Sequence, residues 1–185
     1  GFGYVEAAAI VRQIQWDDML PTNANGELSG EATGSGLNGS TNNKTGDRGV
    51  IRASVTVGEG IQNYMNDAPV DIGVEVGVNP ITDLEGVALP MVGMSAFYDI
   101  TWNEKWTSTV GYSMLDIDNS NGQGPTAFMK GQYALGNLMF YPVKNVMMGG
   151  ELQWGDRENI NGFTSDALRF QFSAKYNFAT SFGGN

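Results

Sequence analysis

The stretch Leu168 to Phe178, LRFQFSAKYNF, alternates without a break between apolar Leu168, Phe170, Phe172, Ala174, Tyr176 and Phe178 and polar Arg169, Gln171, Ser173, Lys175 and Asn177. Side chains of a strand point to opposite faces with a period of two, so this segment carries one greasy, aromatic-ended face and one charged face. A soluble sandwich would bury the greasy face. A transmembrane barrel would turn it to lipid, place Tyr176 and Phe178 at the membrane surface, and line a water-filled interior with Arg169 and Lys175.

The same alternation recurs upstream, broken by Gly, Asn, Asp and Pro, and helical periodicity is almost absent. It predicts strands at about 3 to 16, 31 to 41, 47 to 58, 88 to 102, 105 to 117, 127 to 141, 145 to 157 and 166 to 178. The second is Gly-rich and the least marked. Several exceed ten residues, whereas globular strands have a mode of about five or six. Tight turns (NNKTG at Asn42 to Gly46, NEK at Asn103 to Lys105, PVKN at Pro142 to Asn145) alternate with longer polar connections at 17 to 30, 59 to 87, 118 to 126 and 158 to 165. Short and long connections in strict alternation are the mark of an up-and-down barrel with short periplasmic turns and long external loops. A Greek-key sandwich has no reason to alternate so regularly. The parity closes at eight strands if VDIGVEVGV, Val70 to Val78, belongs to the long loop 59 to 87, folding into the interior or pairing locally.

Composition narrows the chemistry. At 185 residues this is one domain, with no Cys and no His. Thiol catalysis and a disulfide framework are excluded, and most hydrolase and zinc-site readings lose their main residue. No nucleophile and base pair stands out, so an enzyme is the least favoured class, and no cofactor or metal is expected. A net charge of -10 speaks against nucleic acid. No run approaches eighteen consecutive apolar residues, which leaves barrel strands as the membrane-crossing option. The chain opens at Gly1 without a Met and enters a strand pattern within a few residues, as expected of a mature or fragmentary chain.

The ten basic residues divide by position. Lys44, Lys105 and Lys144 sit one in each short turn. Arg12, Arg48, Arg52, Lys130, Arg157, Arg169 and Lys175 fall on strands or at their ends, and the alternation assigns them to one face. Lys130 aligns with Gln132 against Tyr133 and Leu135. Glu6, Asp99 and Glu151 are the clear acids of that face, while most other carboxylates crowd the long loops. A cation-rich wall lowers the energy of a passing anion, so Arg12, Arg48, Arg52, Lys130, Arg157, Arg169, Lys175 and Glu151 are the candidate channel-lining residues. The plain alternative is a solvated charged face, or a narrow barrel filled by ion pairs. DIDN, Asp116 to Asn119, resembles part of a calcium loop but lacks the Gly and distal Glu at the required spacing. GEG at Gly58 to Gly60 is followed by no helix and makes no phosphate cradle.

VGEGIQNY (Val57 to Tyr64), FYDITWNEKWTSTVGYSMLDI (Phe97 to Ile117), QYALGNLMFYPVKNV (Gln132 to Val146), GGELQWG (Gly149 to Gly155) and RFQFSAKYNF (Arg169 to Phe178) resemble, in this order, the carboxy-terminal half of the DcaP-like porins of Gram-negative outer membranes. The resemblance implies a sixteen-stranded barrel, usually trimeric, passing small anionic solutes, dicarboxylates among them, by diffusion. It carries the channel-lining role to Arg12 in VRQIQWDD, Arg52, Arg157 and Arg169 in particular. The chain departs from the family in having about half the strands and in continuing past Phe178 with ATSFGGN, Ala179 to Asn185.

The expected architecture is therefore all-β: an antiparallel up-and-down transmembrane barrel wall over residues 1–178, about eight strands and half of a sixteen-stranded porin, with a tail at 179–185. The expected partners are lipid and lipopolysaccharide, small anionic solutes, the missing amino-terminal half of the barrel and two further copies in a homotrimer. Two other readings remain. One is a small eight-stranded structural or adhesive barrel. The other is a secreted soluble β-sandwich binding carbohydrate through Trp16, Trp102, Trp106 and Trp154, although those tryptophans lie at or near strand ends, as in a membrane girdle.

Overall fold

The computed structural model describes residues 3–17, 29–65, 68–78 and 84–178. They form β1 (Gly3–Asp17), β2 (Ser29–Thr45), β3 (Gly49–Glu59), a 3-10 turn (Gln62–Tyr64), β4 (Ile72–Val76), β5 (Leu84–Ala88), β6 (Pro90–Asn103), β7 (Trp106–Ile117), β8 (Phe128–Phe140), β9 (Val146–Asn159) and β10 (Thr164–Tyr176). Eight of the strands make one antiparallel sheet in the order β1-β2-β3-β6-β7-β8-β9-β10. Each neighbour in that sheet is the next wall strand along the chain, the up-and-down topology expected. The outermost strands, β1 and β10, each keep an edge without a partner among the described residues.

Three boundaries differ from expectation. β2, the least marked segment, is the longest strand at 17 residues. Its backbone is held on both sides, from Asp17↔Ser29 to Gly3↔Asn43 and from Ser35↔Glu59 to Thr45↔Gly49, so glycines cost it less than propensity suggests. The NNKTG segment accordingly runs in the strand up to Thr45, and the turn is Gly46 to Arg48. The connection expected at 158 to 165 shrinks to residues 160–163, because Glu158 pairs with both Lys130 and Thr164. It closes on Gly162 at φ 77, the left-handed conformation that glycine adopts without a Cβ penalty. Residues 18–28 and the tail 179–185 lie outside the described residues.

The segment expected to leave the wall does so. β4 pairs with β5 from Ile72↔Ala88 to Val76↔Leu84 as a separate two-stranded sheet. With the 3-10 turn it forms an insert lying against one face of the large sheet. Ile61 and Leu89 of the insert pack with Met91 and Ile117 of the wall into a small core, each at most 2% exposed. Close approach is possible because glycines of the wall leave room. A Cβ on Gly36 would stand 2.2 Å from Ile61 Cδ1, and one on Gly93 2.5 Å from Met65 Cε.

Gly36→Val drives its new side chain into Ile61, so it is expected to lower stability by about 1–3 kcal/mol through overpacking. Gly39→Ala, where no atom lies within 4 Å of the added Cβ, should stay within about 0.5 kcal/mol. Equilibrium denaturation of the two variants checks the difference.

Candidate functional site

Residues paired across antiparallel strands share a face, so the register sorts every wall side chain. Ser40↔Ser54, Ser54↔Ser95, Ser95↔Ser113 and Ser113↔Tyr133 place one hydroxyl row on the face that carries the insert. The next row toward the short turns runs Asn42↔Arg52, Arg52↔Phe97, Phe97↔Gly111, Gly111↔Leu135, Leu135↔Gln153 and Gln153↔Arg169. The row beyond it contains Val50↔Asp99, Asp99↔Thr109, Thr109↔Asn137, Asn137↔Glu151 and Glu151↔Gln171. Polar side chains bond from strand to strand on this face: Asn38 Nδ2 donates to Ser54 Oγ at 2.9 Å and Thr56 Oγ1 at 2.7 Å, and Asn137 Nδ2 donates to Glu151 Oε2 at 3.2 Å.

The opposite face is apolar along its middle. Val55 pairs with Met94, Met94 with Met114, Val110 with Gly136, Gly136 with Leu152 and Leu152 with Phe170. These side chains stay in the open: Val55 is 51% exposed, Leu152 49% and Phe170 72%. Charged residues follow toward the loop end, where Asp116, Lys130, Asp156, Glu158 and Asp166 share this outer face, and uncharged Thr41, Asn43, Thr45 and Ser108 follow toward the short turns. At the short-turn end Trp106 stacks on Phe140 at 4.5 Å between ring centroids, and Tyr176 on Phe178 at 6.2 Å.

The candidate residues separate into distinct environments. Arg12, Arg52, Arg157, Arg169, Lys175 and Glu151 are on the insert face. Lys130 is not: opposite Asp116 on β7 and Glu158 on β9, it belongs to the outer face. It does alternate against Tyr133 and Leu135, but in β8 those two apolar residues are the ones turned to the insert side. Arg48 lies in the turn Gly46 to Arg48, where its carbonyl accepts from Thr101 N–H at 2.7 Å. Lys44, assigned from sequence to a turn, joins the insert face opposite Val50.

Among the described residues, two of the arginines have acidic partners. Arg52 Nη1 meets Asp99 Oδ2 at 2.6 Å, and Arg12 Nη1 meets Asp71 Oδ2 at 2.8 Å. Asp71, 7% exposed and at the start of the insert hairpin, was not singled out from the sequence; its spacing of 59 residues from Arg12 leaves no local signal. Arg157 donates through Nε to Asn159 Oδ1 at 2.8 Å and lies over the Phe128 ring. Arg169 and Lys175 stand opposite Gln153 and Met147, and no ion pair involves either among the described residues. Lys44 on β2 and Glu151 on β9 also lack ion pairs among the described residues, so on this face unpaired cations outnumber unpaired acids most on β9 and β10.

The sheet curves round a cavity of about 950 Å³ on its insert face, bounded by residues from β1 to β9. Ser54, Ser95, Ser113 and Tyr133 line its wall, and Ile61, Tyr64 and Met65 of the insert also border it. Trp16 packs inward, its ring 2.2 Å from where a Cβ on Gly86 would stand, and Trp154 sits mid-strand opposite Leu168. Only Trp102 and Trp106 of the four tryptophans therefore occupy the strand-end belt expected of all of them. Asn119 of the DIDN stretch serves the backbone, donating to Ile117 O at 3.1 Å and Phe128 O at 2.9 Å. No group of three or more acidic side chains is placed to hold a metal ion among the described residues.

No protein-family model matches this sequence, and no curated protein matches it. The solved structures include one of the same fold, the outer membrane channel DcaP of Acinetobacter baumannii. The likeness has a TM-score of 0.72 at 20% identity and covers 96% of this chain and 48% of the channel. The resemblance carried by the motifs is thus matched in three dimensions, and this chain spans about half the length of that channel.

The outer-face position of Lys130 is open to a direct check. Opposite charges directly across a strand pair contribute about 0.2–1 kcal/mol and like charges destabilise, so Lys130→Glu, set between Asp116 and Glu158, is expected to lower stability by about 1 kcal/mol. Raising the salt concentration should shrink the loss. Denaturation midpoints at low and high salt measure both effects.

Proposed function

We propose that this chain is part of the wall of an outer-membrane porin, a water-filled channel for passive diffusion of small anionic solutes of dicarboxylate type. The observation that carries this reading is the division of the two faces. All eight wall strands contribute to an outer surface that is apolar at mid-height, exposed, and framed by aromatics at one end and charges at the other, while the insert face is hydroxyl-rich and charged. At about 3.3 Å per residue even the eleven-residue β3 extends about 36 Å, or about 26 Å of membrane thickness at a tilt of about 45°. That matches an apolar band about 25 Å tall.

Bare strand edges are not tolerated in lipid, because each unpaired backbone group there costs several kcal/mol. The edges of β1 and β10, without a partner among the described residues, must therefore be covered, and further strands would cover them. The 48% coverage of the structural neighbour supports a sixteen-stranded barrel whose amino-terminal half lies outside this sequence. In this reading the barrel sits in the outer membrane of a Gram-negative bacterium, contacts lipid and lipopolysaccharide, and assembles as a homotrimer. It performs no catalysis and carries no cofactor.

Anion preference rests on the cations that lack acidic partners. Arg157, Arg169 and Lys175 supply the attracting field, whereas Arg52 with Asp99 and Arg12 with Asp71 are nearly neutral as pairs. The completed pore in a planar bilayer should favour anions at low salt, and Arg169→Gln with Lys175→Gln should move its reversal potential toward cations. Arg52→Gln with Asp99→Asn should leave the reversal potential in place. Coulomb effects across a wet lumen fade over about 8–10 Å at physiological salt, so the first shift should shrink as salt rises. A cation-selective wild type, or equal shifts from both double variants, would overturn the assignment.

A further inference from the structure

Arg12 differs from the other wall cations in what it touches. Its Nη1 reaches Asp71 Oδ2 at 2.8 Å and Gly60 O at 3.3 Å, and its guanidinium carbon lies 5.7 Å from the centre of the Tyr64 ring. Gly60 is where the chain leaves β3, Tyr64 ends the 3-10 turn, and Asp71 precedes β4. A single wall side chain thus contacts the insert at three points along its first half. Asp71 is tied in turn to the insert backbone: its Oδ1 accepts from Asn63 N–H at 2.6 Å and its carbonyl accepts from Leu89 N–H at 3.1 Å.

The hairpin is also fastened at its far side. Val74 O accepts from Gly122 N–H at 3.0 Å and from Ser120 Oγ at 2.6 Å, while Val76 N–H donates to Asn121 Oδ1 at 2.7 Å and Val76 O accepts from Asn121 Nδ2 at 3.1 Å. β4 is therefore suspended between β1 and the β7–β8 connection. The two fastenings differ in kind. The second consists of neutral hydrogen bonds at or near exposed loop residues. The first contains a carboxylate 7% exposed, whose partner cannot be removed without leaving a buried, uncompensated charge.

We propose that Arg12 is the positioning residue that holds the insert across the channel interior, and that the Arg12–Asp71 pair, rather than the charge of Arg12, sets the open cross-section on this side of the pore. This rests on the channel reading for its consequence but not for its contact geometry. It also separates Arg12 from the anion-attracting residues Arg157, Arg169 and Lys175. With the pair intact, the solute passes between the insert and the remaining wall. With the pair broken, the hairpin keeps its loop-side hydrogen bonds and the apolar seat of Ile61 and Leu89 on Met91 and Ile117 but loses its tie to β1, and the bore widens intermittently.

This sequence has no cysteine, so once any cysteine outside it is replaced by Ser an introduced thiol reports cleanly. Ile61, 2% exposed under the docked insert, is replaced by Cys in the full-length protein folded in detergent, and Thr107→Cys near the short-turn end serves as control. Labelling by a water-soluble maleimide is compared in the Arg12→Gln, Asp71→Asn, double and Arg12→Lys backgrounds. Arg12→Gln and Asp71→Asn should each speed labelling at position 61 by about tenfold or more, as local opening of the insert predicts, without changing the rate at position 107. The double variant should be no faster than either single one, since both remove one interaction, and Arg12→Lys should recover part of the protection. Additive rates in the double variant, or unchanged rates in the singles, would overturn the proposal.

Single-channel recording of the same variants in the completed barrel reads the consequence. Larger and noisier conductance with an unchanged reversal potential supports a positioning role, whereas a changed reversal potential at unchanged conductance overturns it in favour of simple charge attraction. Correct labelling behaviour in a protein that conducts nothing would refute the channel reading and leave the Arg12 contact standing.

Discussion

Register is the constraint on which this structure depends. In an antiparallel sheet, sliding one strand by a single residue sends all of its side chains to the opposite face. Here the pairings are continuous from Gly3↔Asn43 on the first strand pair to Tyr176↔Val146 on the last, with irregularities only at Thr101/Asn103 and Phe128/Lys130. Because the phase is held across eight strands, Val55, Met94, Leu152 and Phe170 fall on one surface while Ser54, Ser95, Arg169 and Glu151 fall on the other. The insert reinforces this order from one side. Ile61 and Leu89 seat it on Met91 and Ile117, and that apolar contact exists only if Met91 and Ile117 point inward.

Electrostatics on the inner face are uneven. β1 to β6 carry arginines compensated at short range, by Asp71 on the insert and by Asp99 on the neighbouring strand. β9 and β10 carry Arg157, Arg169 and Lys175 without carboxylate partners among the described residues. The exposed pair Arg52–Asp99, with Arg52 56% exposed, contributes only about 0–1 kcal/mol to stability, so its main effect is to cancel field. The Arg12–Asp71 contact is more buried and acts through position. Basic residues of the same type on the same face therefore serve different ends, according to whether an acid lies within reach.

Much of this was legible in the sequence, because period-two alternation and turn chemistry are local. LRFQFSAKYNF announces β10 and both of its faces, and the alternation of short and long connections yields eight wall strands and removes Val70 to Val78 from them. What failed was not local. Alternation divides a strand into two faces without saying which is outward, and in β8 Tyr133 and Leu135 are apolar yet inward, so Lys130 falls on the side opposite to the one its polarity suggests. β2 is longer than its glycine content suggests because neighbours support it on both sides. Asp71 could not be found because its partner is 59 residues away, and Trp16 reads as a girdle residue until the hairpin over it is seen.

The central claim is that the exposed apolar face meets lipid while the insert face meets water. The direct test is to place a nitroxide label at each successive position from Gly49 to Val57 on β3, in the completed protein reconstituted into bilayers, and to measure collision with oxygen, which concentrates in lipid, and with a water-soluble nickel chelate. Side-chain direction alternates along a strand, so the account predicts two period-two profiles out of phase. Oxygen collisions should peak at Ile51, Ala53 and Val55, and nickel collisions at Arg52, Ser54 and Thr56. Nickel collisions equally high at both sets, or no alternation, would contradict it.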